Sequence, residues 1–256
     1  MGVPGHTTRN APAELARTEL FAVDAYLADF DATVVAADHD QGRVALARTA
    51  FFPGGGGQPH DVGTLRWDGG SAPVTKVKRD GEHLWHWVDA PEVPTVGTEV
   101  AGSIDWPRRH LTMRTHTALH ILCGVLWSEF QLPVTGGNME PGKGRLDFPL
   151  EGITTEFGSL LERRINDEIE RAREIVVDFV GRDDADSDPA LIRTAANLIP
   201  REIDPLRVID IVGLDKQADG GTHVVSTAEV RRVVVTKTES KGKANKRVRL
   251  EVTDHD

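Results

Sequence analysis

Ser103-Ile-Asp-Trp-Pro-Arg-Arg-His-Leu-Thr-Met-Arg-Thr-His-Thr-Ala-Leu-His120 is where the chain changes character. Pro107 suits the first turn of a helix, where its missing N–H is no loss, and a helix is expected to run on through Trp127. Within it, His116 and His120 stand four residues apart, so their rings share one face a turn apart. That spacing lets one helix offer two nitrogen ligands to a zinc ion. Taken alone, such a pair is more often two ordinary helix histidines, so the surroundings must decide. His223 lies far downstream in Asp219-Gly-Gly-Thr-His223, a tight glycine turn that could close the site. A zinc protease would need Glu directly after the first histidine as its base. Thr117 stands there instead, so the metal spacing is kept and the protease base is missing.

Upstream of this helix the texture is β. Ala32–Ala36, Arg43–Ala47, Val74–Lys78 and His83–Val88 are rich in strand-forming residues, several alternate in polarity, and Gly, Pro and Asp-Gly signals separate them. Residues 18–104 therefore read as a small antiparallel β-barrel. Downstream, a second helix is expected from about Thr155 to Ile175, with Leu161, Ile165, Ile169 and Ala172 as its apolar stripe. An acidic loop, Arg182 to Pro189, follows, and strands return at Leu206–Val212, Val230–Thr236 and Val248–Val252. Residues 105–256 thus form an α+β domain, and the polar segment 1–17 reads as a flexible extension.

The 256 residues suffice for one large or two medium domains. No stretch approaches the roughly 20 apolar residues of a membrane helix, and the N-terminus lacks the apolar core of a signal peptide. The single cysteine, Cys123, excludes an intrachain disulfide and fits a reducing, cytoplasmic setting. It follows His120 by three residues and could share the histidine face, but its apolar neighbours favour a buried, inert thiol. Net charge is −10, unevenly spread: Arg231 to Leu250 holds eight Lys/Arg against Glu239 alone, which makes that segment +7 and the remainder −17. A confined phosphate-binding face has this distribution, as does a merely solvated hairpin.

Gly137-Asn-Met-Glu-Pro-Gly-Lys143 imitates a phosphate-binding loop, but Gly144 replaces the required Ser/Thr and a strand-like Arg145–Phe148 follows where a helix is needed. No Gly-x-Ser-x-Gly elbow supports a serine hydrolase. Phe51-Phe-Pro-Gly-Gly-Gly-Gly-Gln-Pro59 is more telling. Four consecutive glycines cost conformational entropy, which makes sense where bare backbone must approach another surface or present amides to an anion. Gln58 adds a hydrogen-bonding side chain, and His60 is expected to face solvent.

Taken in order, the Gly54–Gly57 loop with Gln58, Met113–Leu122, Arg145–Phe148, Asp219–Val224 and Glu239–Arg247 resemble the free-standing alanyl-tRNA editing proteins, relatives of the editing domain of alanyl-tRNA synthetase. The resemblance spans about residues 18 to 252. It implies a β-barrel followed by an α+β zinc-binding editing domain. It further implies hydrolysis of the ester in tRNA(Ala) mischarged with serine, or with glycine. Such a site is needed because a pocket for alanine cannot strongly reject a residue that adds a hydroxyl or lacks a methyl, differences of order 1–3 kcal/mol. Carried over, His116, His120 and His223 hold one Zn2+ per chain. Many members have Cys where this chain has Asp219; a carboxylate oxygen or a water then completes the set. Thr117 and Gln58 become candidates for orienting the substrate. Gly54, Gly55, Gly56, Gly57, Arg114, Lys237, Lys241, Lys243 and Arg247 become candidates for contacting tRNA. Two other readings share these residues: a zinc hydrolase for another aminoacyl ester, and a non-catalytic tRNA-binding module with a structural metal.

Overall fold

A computed structural model of the chain describes residues 5–149, 155–188, 190–192, 199–240 and 245–254. The short strand β1 (Thr7–Thr8) and helix α1 (Ala13–Thr18) lead into six strands, β2 (Asp29–Asp38), β3 (Arg43–Leu46), β4 (Gly63–Trp67), β5 (Gly70–Asp80), β6 (His83–Val88) and β7 (Glu99–Ile104). These close into an antiparallel barrel of order β2-β3-β6-β5-β4-β7. Alternation drives the closure: on β6, Leu84, His86 and Val88 point inward while His83, Trp85 and Trp87 stay half-exposed. Phe30, Val34, Val44, Phe51, Leu65, Val74 and Val100 fill the interior.

Helix α2 (Trp106–Phe130) starts where expected, capped by Asp105, whose carboxylate accepts the Arg108 N–H, and it ends at Gln131 in the left-handed region. It is buried on nearly every side from Thr112 to Leu126, the pattern of a central helix. After it come β8 (Gly136–Glu140), β9 (Lys143–Phe148), α3 (Thr155–Glu170), β10 (Ile175–Val180), α4 (Arg182–Ser187), β11 (Leu206–Ile211), β12 (Asp215–Ala218), β13 (Arg232–Ser240) and β14 (Lys246–Thr253). They form two sheets, β1-β10-β11-β12 and β13-β14-β9-β8. Both pack on α2 and α3 through one core that includes Met113, Leu122, Leu161, Ile165, Ile209, Val233 and Leu250. The architecture is mixed α+β with a closed six-stranded barrel. Among the described residues no helix is long and apolar enough to cross a membrane.

Several expectations change. Helix α3 stops at Glu170, with Ala172 in the left-handed region, and Ile175 opens a buried strand. Part of the acidic loop is a short helix, with Asp183 and Asp184 in its first turn, where the helix dipole favours carboxylates. The N-terminal segment, expected to be flexible, is docked in its described part. β1 adds a parallel strand to β10, Thr8 Oγ1 donates to Val23 O at 2.8 Å, and Asn10 Nδ2 donates to Asp178 Oδ1 at 2.9 Å. Backbone pairing, which composition does not encode, holds it there.

The barrel and the rest of the chain share a buried clasp. Arg109 of α2, fully buried, donates to both carboxylate oxygens of Asp61, to Ala25 O at 2.9 Å and to Ala50 O at 2.6 Å. Asp61 Oδ2 also takes the Phe52 N–H at 2.6 Å. Both stems of the glycine loop, Phe52 before it and Asp61 after it, are thereby tied to the first turns of α2.

Candidate metal centre

Helix α2 brings His116 and His120 to one face, with ring centroids 5.1 Å apart. The turn after β12 brings His223, whose ring lies 4.3 Å from His116 and 4.7 Å from His120. Asp219 completes the group. One ligand atom from each of the four residues falls within 4.8 Å of the others. All three imidazoles are buried, and Asp219 keeps a small opening to solvent.

The outer partners of the rings make the centre directional. His116 Nδ1 lies 2.9 Å from Gln58 Oε1, a carbonyl that can only accept, so the ring proton sits on Nδ1. His120 Nδ1 lies 3.0 Å from Asp215 Oδ2, which also accepts from Gln217 Nε2 at 2.7 Å. His223 Nδ1 meets Thr117 Oγ1 at 3.2 Å. Their Nδ1 partners leave the Nε2 lone pairs of His116 and His120 for a shared guest, as in histidine metal sites with an outer carboxylate or carbonyl; His223 Nε2 bonds Asp219 Oδ2, and Thr117 can take its ring proton on the Nδ1 side when a guest binds. Across the interior, His116 Nε2 and His223 Nε2 stand 3.7 Å and 3.1 Å from the two Asp219 oxygens.

Electrostatics agree with the geometry. Burial pushes His116 down to about 4 and His223 well below its ordinary value, so both are neutral at pH 7. Burial alone would raise Asp219, but the imidazoles of His116 and His223 hold it well below the usual carboxylate range. One carboxylate among three imidazoles is a donor set of the kind zinc takes, tetrahedral with N and O ligands. Cys123 is buried on α2 and stands outside this group.

The 219–223 turn is itself built to fit. Arg207 of β11 donates through Nη1 to Asp219 O at 2.9 Å and to Gly221 O at 2.8 Å, clamping the loop from behind. Gly221 has no room for a side chain: a Cβ there would overlap the His116 ring and lie 2.5 Å from Gln58 Oε1. Thr222 N and Oγ1 both bond Gln58, at 3.0 and 2.9 Å. The glycine loop of the barrel therefore reaches the metal turn. Gly55 and Gly56 are exposed, a Cβ on Gly56 would lie 3.9 Å from Asp219 Oδ1, and Gly57 O takes the Met139 N–H of β8 at 3.1 Å.

Not every expected residue falls at this centre. Thr117 is fully buried and positions His223 and the Val224 N–H, so it is closed to a substrate. Arg114 is buried as well. Its guanidinium binds Asp254 Oδ1 at 2.7 Å, Thr253 O at 3.0 Å and Val230 O at 3.1 Å, which makes it a clamp on the C-terminal strand and withdraws it from phosphate contact. Arg247 spends Nε and Nη2 on Asp147, both at 2.7 Å. Lys237 is exposed and pairs with Glu239 at 2.7 Å. Lys241 and Lys243 lie outside the described residues. His60 is half-buried rather than open, with Nδ1 2.9 Å from Asp61 O. Sequence reasoning missed Asp215 and Arg207. Only the partner each finds in the folded chain marks them.

The model of class II (A) tRNA synthetases matches residues 16–108, and that of the threonyl and alanyl tRNA synthetase second additional domain matches 206–249. The alanyl-tRNA editing protein AlaX-M of Saccharolobus solfataricus is 38% identical, covering 90% of this chain and 96% of its own length. That of Methanosarcina barkeri is 34% identical, covering 92% of this chain and 98% of its own. The alanine--tRNA ligase of Pyrococcus furiosus is 34% identical over 86% of this chain, a stretch that makes up 24% of that enzyme.

Proposed function

This chain belongs to the alanyl-tRNA editing protein family, and from that premise we propose that it hydrolyses the aminoacyl ester of tRNA(Ala) mischarged with serine, or with glycine, using one zinc ion. The observation that carries the reading is the convergence of three Nδ1-anchored imidazoles and Asp219 on one point, with Gln58 of the glycine loop holding one of them.

His116, His120, His223 and Asp219 would hold the metal. Bound there, it supplies Lewis-acid polarisation of an ester carbonyl or an anchor that fixes the substrate. The chain's own residues do the rest. Gln58 and Asp215 keep the protons of His116 and His120 on Nδ1. Thr117, whose hydroxyl can give or accept, lets His223 do the same. His116, His120 and His223 are buried, while Asp219 keeps a small exposure to solvent. Gly56, whose Cβ would lie 3.9 Å from Asp219 Oδ1, and Gly220, next to Asp219 and with open space where a Cβ would be, are both exposed and leave room for the 3′ end of a tRNA. Hydrolysis adds water at the carbonyl carbon and breaks its bond to the ribose oxygen, releasing the amino acid and a free 3′ end. On this reading residues 18–104 form the barrel domain that presents the loop and 105–256 the editing domain.

A panel of Ser-, Gly- and Ala-tRNA(Ala) tests the proposal: serine or glycine released and alanine spared supports it, and release of neither refutes it. The depth of the histidines also suits a structural metal in a tRNA-binding module. His116→Ala separates the two readings: a folded variant without turnover supports catalysis, whereas an unfolded one beside an inactive parent supports the module.

A further inference from the structure

Among the described residues, α2 and α3 pack on one face of the sheet β13-β14-β9-β8. Leu146, Phe148, Val248 and Leu250 turn into the core against α2 and α3, so the residues that alternate with them face away. The strand registers set Lys237 opposite Arg249, Arg249 opposite Arg145, and Arg145 opposite Asn138. Three cations on neighbouring strands therefore form a row about 10 Å long at the usual strand spacing. Their side chains are 63%, 42% and 29% exposed in that order.

Local charge favours an anion there. Glu239 serves both Lys237 and Arg249, at 2.7 and 3.4 Å, and Asp147 serves both Arg247 and Arg145, the latter at 3.4 Å. Four cations share two carboxylates, an excess of two positive charges on a chain of net charge −10. Exposed pairs of this kind are weak, so a phosphate, which matches the guanidinium fork, can compete for Arg145 and Arg249. The row also leads somewhere. It ends at Asn138. A Cβ on Gly57 would sit 3.5 Å from Asn138 Cα, and the next residue, Gln58, bonds His116.

We propose that Lys237, Arg249 and Arg145 seat the phosphate backbone of the RNA and direct its end past Asn138 and the glycine loop into the metal centre. The proposal rests on the editing reading above. Its test compares the triple variant Lys237→Gln/Arg249→Gln/Arg145→Gln with a control that removes the same charge from the exposed side of α3 and the turn after it, Arg163→Gln/Arg164→Gln/Arg171→Gln. Both are checked for folding by thermal melts. Binding of uncharged tRNA(Ala) is measured from 50 to 200 mM salt, and hydrolysis is measured on Ser-tRNA(Ala) and on the small ester 3′-O-seryl-adenosine. Loss of three phosphate contacts should flatten the log–log salt slope by about 2 to 3, so that over this range the parent loses about 40-fold more affinity than the row variant. Hydrolysis of the small ester should be unchanged, and the control should match the parent. A row variant with the parental slope overturns the proposal and leaves editing intact. A parent that binds tRNA with a steep slope lost only in the row variant, yet cleaves neither ester, supports the row and refutes editing.

Discussion

Replacing Gln58 by Leu removes one carbonyl that serves two buried donors, His116 Nδ1–H at 2.9 Å and Thr222 N–H at 3.0 Å. The side chain is only 3% exposed, so water does not readily take its place. Two effects should appear and can be read separately. Without metal, two stranded donors at about 1–3 kcal/mol each should lower unfolding free energy by at least about 2 kcal/mol, measured by urea titration of the chelated protein. With metal, loss of an outer partner should weaken zinc binding by about 10- to 100-fold, equal to about 1.4–2.8 kcal/mol, measured by competition with a chromophoric chelator. Gln58→Glu keeps an acceptor and should retain most of the affinity. If Gln58→Leu binds zinc as tightly as the parent, the barrel loop does not orient His116 and the account of the centre fails.

Other expectations follow from the same contacts. Arg109→Ala strands the buried Asp61 carboxylate and should cost about 3–5 kcal/mol in urea unfolding; a loss under 1 kcal/mol would contradict the clasp. Gly221→Ala should weaken metal binding because its Cβ meets His116, whereas Gly220→Ala, with no atom within 4 Å, should not; equal effects would contradict the packing. His86 is fully buried in the barrel, and burial pushes it from 6.5 down to about 4. The unfolded chain therefore takes up this proton first, and stability should fall as pH drops from 6.5 towards 4, by at most about 3 kcal/mol. His86→Gln should flatten that part of the pH profile, and an unchanged profile would count against the assignment.

The parts of the centre legible in sequence are those set by local spacing. His116 and His120 share a face because a helix repeats every 3.6 residues, and His223 and Asp219 sit within one glycine turn. What could not be read depends on tertiary partners. Arg114 has the composition of a surface phosphate ligand and is instead enclosed by Thr253 and Val230. Nothing near Asp215 in sequence announces that it faces His120 across the core. The run Ile175–Val180 is apolar apart from Asp178 and lacks regular alternation, and periodicity alone cannot tell such a strand from a continuing helix. The four glycines suggested close approach of bare backbone, but not that the surface approached would include the turn carrying Asp219.

The most direct test of the central claim is release of serine from Ser-tRNA(Ala) by zinc-loaded protein, beside a chelated sample that remains folded and an Ala-tRNA(Ala) control. Serine release that stops on chelation and returns with added zinc, with alanine left in place, is the result predicted. Release that continues undiminished in the chelated, metal-free protein would contradict the assignment of His116, His120, His223 and Asp219 as a catalytic metal centre.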